Sequence, residues 1–153
     1  MKIEEEPELP ENFNYNGGQK DIYEDLIRKD NYLSPFRDKK FADVFLYAMV
    51  LGYKEGKREP KFKKRVPYIP TTAFSNEAQW LIMALAIFEE KDLQVLFNMK
   101  KVAIMAEEYA NAGIPILHKL VKDAALGDPD KVLETELRDI LKNKSIVQQN
   151  DDG

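Results

Sequence analysis

Apolar residues recur at intervals of three and four along most of this chain, the spacing of amphipathic helices packed on a common core. From Gln19 to Lys29 the stripe is Ile22, Tyr23, Leu26 and Ile27, with Asp21, Glu24, Asp25 and Arg28 outside it. Asn31 marks the end of that helix, and Pro35 predicts an extended connection by disfavouring the helical conformation at Ser34. Asp38 then reads as the N-cap of a second helix carrying Phe41, Val44, Phe45, Ala48 and Leu51. Leu46, Tyr47 and Val50 cover much of its remaining circumference, so this helix belongs at the centre. Gly52 reads as its left-handed C-cap.

The helical period breaks in YKEGKREPKFKKRVPYIP, where Gly56, Pro60, Pro67 and Pro70 leave a turn and extended segments. Lys63 to Arg65 fit a loop or an edge strand equally well. Ser75 or Asn76 caps the next helix, whose wide apolar face includes Trp80, Leu81, Met83, Leu85, Ile87 and Phe88. Asp92 caps a short turn with Leu93, Leu96 and Phe97, and Met99 to Ala112 form a further core helix. Gly113 and Pro115 then read as stop and restart, opening a helix with Leu117, Leu120 and Val121 that finishes near Leu126 and Gly127. Asp128 and Pro129 start a terminal helix with Leu133, Leu137, Ile140 and Leu141. The expected fold is all-α: a compact bundle of about six helices around the central apolar helix, followed by a basic loop containing proline and glycine. A flexible acidic tail over 1–18, one helical domain over 19–142 and a flexible tail over 143–153 complete the expected organisation.

A chain of 153 residues with 44% apolar content holds one core. It has no cysteine, which excludes disulfides, thiolate metal sites and a thiol nucleophile. The start, MKIEEEPELPE, is acidic where a signal peptide would be basic and then apolar. The longest apolar run, Val44 to Leu51, is too short to span a bilayer, so no membrane segment is expected and a cytoplasmic location is.

Charge changes the picture more. Net charge is -4, yet Lys54, Lys57, Arg58, Lys61, Lys63, Lys64 and Arg65 against Glu55 and Glu59 give one stretch +5 and leave the remainder -9. With Tyr53, Phe62 and Tyr68 interleaved, the stretch suits DNA phosphates beside stacking surfaces. It suits equally a solvated loop whose cations face the acidic remainder of the molecule or an acidic partner. His118 has no second histidine or cysteine to complete a metal set. Glu107 and Glu108 are adjacent on a helix and point about 100° apart, unlike the facing carboxylates of acid–base hydrolases. Phosphate-loop, nucleophile-elbow and dinucleotide motifs are absent. The expectation is a non-enzymatic protein without metal or cofactor.

Two blocks, FADVFLYAMVLGYKEGKREP at Phe41–Pro60 and AEEYANAGIPIL at Ala106–Leu117 with the later GDP at Gly127–Pro129, resemble the DNA phosphorothioation-associated protein 4 family. The similarity covers Phe36 to Leu133. It implies an accessory of a prokaryotic system that replaces a DNA backbone oxygen with sulphur, linked to restriction of unmarked DNA such as that of phage. The implied partners are other proteins of that system and duplex DNA, contacted through the basic loop; no catalytic residues carry over. The alternative is a transcription regulator with helix-turn-helix geometry within Ser75 to Ala112, although the Met99 to Ala112 helix offers phosphates only Lys100 and Lys101 against Glu107 and Glu108.

Overall fold

The computed structural model describes residues 8–123, 131 and 133–142. Its elements run β1 (Asn12–Asn16), α1 (Lys20–Ile27), α2 (Phe41–Lys54), β2 (Arg65–Pro70), α3 (Asn76–Glu90), a 3-10 turn (Leu93–Phe97) and α4 (Met99–Lys122). Helical residues 133–142 follow as α5. The expected all-α bundle of about six helices is therefore corrected, among the described residues, to five helices and a two-stranded antiparallel sheet.

Two separate facts account for that correction. First, residues 12–16, placed by their acidic and Asn/Gly-rich surroundings in a tail over 1–18, form β1. The segment NFNYN alternates polar and aromatic residues with the period of a strand, and Phe13 and Tyr15 are buried in the core. Phe13 packs against Phe45 and Phe74, and Tyr15 against Tyr23 and Phe41. β1 pairs with β2 in the register Phe13 to Ile69 and Tyr15 to Val66, with an irregularity between Phe13 and Tyr15. Pro67 and Pro70 are tolerated because β2 has a partner on one side only.

Second, the stop and restart expected at Gly113 and Pro115 does not occur: α4 passes straight through both. Proline removes the N–H that would bond the Asn111 carbonyl. The Gln19 side-chain amide donates to that carbonyl instead, at 2.9 Å. Gly113 serves a different purpose, since a β-carbon there would lie 1.7 Å from the Ala48 carbonyl oxygen. Gly52 likewise lies inside α2, not at its end, and a β-carbon on it would sit 2.2 Å from the Tyr109 carbonyl oxygen. Ala48 faces Gly113 and Gly52 faces Tyr109, so α2 and α4 cross antiparallel with their backbones touching. The crossing is central, and buried residues of both helices line it, among them Val44, Met49, Val102, Ala106 and Ile114.

The start of α2 also differs. Asp38 adopts a left-handed conformation and its N–H closes α1 on the Ile27 carbonyl, while Lys40 is the N-cap and Asp43 accepts from the Lys40 N–H at 3.0 Å. Ser75 and Asp92 cap as their sequence context predicts, accepting from Ala78 N and Gln94 N. The cap at Asp128 and Pro129, the expected helix finish near Leu126, and residues 1–7 and 143–153 of the expected tails lie outside the described residues. No helix among the described residues is long and apolar enough to cross a membrane.

Gly113→Ala and Gly52→Ala should each cost about 3 kcal/mol, because the new methyl meets helix backbone that cannot rotate away. Urea unfolding followed by circular dichroism should show lower midpoints at unchanged slope. A Gly113→Ala chain as stable as its parent would refute the close crossing.

Candidate functional site

The basic stretch between α2 and β2 is held by hydrogen bonds rather than left loose. Its anchor is Asn111 of α4, only 5% exposed. The Asn111 amide nitrogen donates to the Glu59 and Lys61 carbonyls at 2.9 Å each, and its oxygen accepts from Asn16 at 3.0 Å. Asn16 accepts in turn from the Lys63 N–H at 3.1 Å, and the Glu59 N–H donates to the Glu108 carbonyl. Further along, the Gly17 N–H bonds the Lys64 carbonyl at 2.8 Å. The backbone from Lys57 to Arg65 is thus fixed along α4 and the end of β1.

One turn earlier on α4, Glu107 is 3% exposed and takes three donors. The Asn14 backbone and side-chain nitrogens bond one oxygen, and Arg65 bonds the other at 3.0 Å. Two residues of strand rise about 6.7 Å and four residues of helix about 6 Å. Asn14 and Asn16 therefore match Glu107 and Asn111 in step, while Phe13 and Tyr15 face the opposite side. Burial pushes the Glu107 carboxyl above the usual glutamate range, against the pull of the Asn14 donors and of Arg65, with the nearby Glu108 charge adding to the rise.

Arg58 joins α3 and α4 to the loop. It bonds Glu108 at 2.7 Å and Glu89 at 3.1 Å, and lies over the Tyr109 ring, whose hydroxyl also donates to Glu89. Burial alone would lower the Arg58 pKa, but the bond to Glu108 and the charges of Glu89 and Glu108 raise it overall. The pair Glu107 and Glu108 is thus divided between two arginines.

A family model described as DNA sulphur modification system-associated protein 4 matches residues 15–151. The chain belongs to this family. A search of the curated proteins finds no match, and neither does a search of the solved structures. The match bears out the resemblance carried by the two sequence blocks and extends beyond 36–133 on both sides, reaching Tyr15 of β1.

The ten residues singled out from sequence divide into two groups. Lys54, Arg58 and Arg65 are neutralised internally, Lys54 by Glu136 of α5 at 2.6 Å. Tyr53 packs edge-on against Tyr109, and Phe62 lies half-buried under the Arg65 guanidinium, 4.0 Å away. Lys57, Lys61, Lys63 and Lys64 are exposed and form no ion pair among the described residues, and Tyr68 is 61% exposed beside them in sequence. Asn14, Asn16 and Asn111, which organise the site, were not foreseen. Their signals were the alternation in NFNYN and an asparagine on the apolar side of AEEYANAG. His118 sits 3.5 Å from Asp25, and the described residues hold no group of three or more potential metal ligands.

Replacing Asn111 with alanine should cost about 2 kcal/mol by leaving two loop carbonyls and the Asn16 amide unpaired. Hydrogen exchange should then quicken at Glu59 and Lys63 well before the helices, and uniform protection would contradict the anchoring role. For Glu107, the folded pKa lies above the unfolded one, so the folded state holds more protons between the two. Its contribution to stability is complete below the unfolded pKa and is lost as pH rises through the folded one. The stability of the parent relative to Glu107→Gln should therefore improve as pH falls from neutrality towards the ordinary glutamate pKa, measured by urea unfolding at each pH.

Proposed function

We propose that the protein is a non-enzymatic accessory of a DNA sulphur modification system that contacts DNA phosphates through Lys57, Lys61, Lys63 and Lys64. The supporting observation is the division of the basic stretch: three cations are consumed by internal carboxylates, while four lysines remain exposed on a backbone pinned to α4. A pinned backbone presents its charges at fixed spacing, so binding a regular polyanion costs less ordering entropy than a mobile loop would. Lysines read charge and not base identity, which suits sequence-independent contact with the duplex.

Two features argue against the helix-turn-helix reading. α4 is buried through most of its length in the α2 crossing, and the carboxylates of Glu107 and Glu108 are turned to Arg65 and Arg58. The middle of this helix, residues 105–111, therefore has no free surface for a major groove. A protein-docking reading has its own support elsewhere: Trp80 is 66% and Phe97 79% exposed, and large exposed aromatics favour protein partners. Tyr53 and Phe62 do not serve that reading, being packed inward.

Duplex binding over a salt series should weaken on changing the four lysines to alanine, and the slope of log affinity against log salt should shrink by about 3 to 4. An unchanged affinity and slope would remove the DNA reading and leave docking on another protein of the system.

A further inference from the structure

A cavity of about 600 Å³ opens where β1, Arg65 and the first half of α4 meet. Met99, Ala103 and Ile104 give it an apolar wall. The buried Glu107 carboxylate, the Glu8 carboxylate and the amides of Asn12 and Asn14 supply polar groups; Arg65 is paired with Glu107, and Lys100 supplies the cation left unpaired among the described residues. Glu107 spends three acceptor positions on Asn14 and Arg65, while a carboxylate offers about four. The side chains of Asn12 and Lys100 bond nothing among the described residues.

A fitting ligand must meet opposed demands. A plain carboxylic acid would meet the Glu107 charge, and a plain amine would leave Lys100 without an anion. The ligand needs an N–H edge at one end, an anion at the other and a flat, weakly polar body between. Its size is that of ordinary small-molecule sites. We propose that this cavity binds a nucleotide, with the base on the Met99–Ile104 wall, its N–H edge on Glu107 and Asn12, and its phosphate on Lys100, two helical turns from Glu107. An aromatic amino acid meets the same demands in outline. The choice of a nucleotide rests on the DNA reading of the lysine edge.

The test is NMR titration of the full chain with dAMP, dCMP, dGMP and dTMP separately, with inorganic phosphate and phenylalanine alongside. At least one nucleotide should give saturable shifts at the Asn12 and Asn14 side-chain amides, and phosphate and phenylalanine should not. Lys100→Glu, an exposed change, should weaken that binding about tenfold. Ile104→Trp should abolish it by filling the cavity, with the thermal unfolding of the variant checked in parallel. No saturable shift, an equal response to phenylalanine or phosphate, or binding indifferent to Lys100→Glu overturns the proposal. Duplex binding that depends on the four lysines without any nucleotide response would sink the cavity reading alone. Nucleotide binding with lysine-independent duplex affinity would sink the lysine reading alone.

Discussion

Ala48 presents its carbonyl where any side chain on Gly113 would have to stand, and Tyr109 does the same to Gly52. This mutual exclusion of side chains lets α2 and α4 approach until their backbones touch, closer than ordinary helix packing. Every element of the site takes its position from that contact. α4 continues through Pro115, which keeps Glu107 and Glu108 one turn before Asn111 on the same helix. α2 delivers the chain at Lys54 and turns it back over α4, where Asn111 receives it.

Around this crossing the protein accepts a buried polar seam between β1 and α4. Burying a carboxylate and a carboxamide is costly unless their partners are complete. Here most of them are made: three donors on Glu107 and three bonds on Asn111. The seam also fixes register. Sliding β1 by one residue would bring Phe13 and Tyr15 against Glu107 and Asn111 and turn asparagines into the aromatic cluster. The same seam separates two uses of positive charge, one set holding the loop in place and the other left to meet an outside anion.

Local chemistry was legible in the sequence and distant chemistry was not. Ser75 and Asp92 were identifiable as caps because a cap bonds residues two or three positions away. Gly52 and Gly113 were legible as glycines that matter but not as what they do, since a helix stop and a helix crossing demand the same missing side chain. NFNYN carried a strand period, yet asparagines and a nearby acidic run made it look like tail. The partners of Arg58 and Arg65 lie 31 to 50 residues away, so no spacing rule announces them. The alternative that the cations face acidic parts of the molecule thus holds for Lys54, Arg58 and Arg65, while the four lysines keep the exposure on which the DNA reading stands.

The bonds from Asn14, Asn16 and Gln19 to α4 span 92 to 95 positions of the chain. Such distant pairings close long loops and slow folding relative to helix formation. On a ribosome β1 leaves before β2 and α4, so neither its strand partner nor its helix partner exists until Arg65 and then Asn111 have emerged. Of these three segments the one made first is among the last to find its place, and the basic loop, clamped between β1 and α4, stays unclamped until it does.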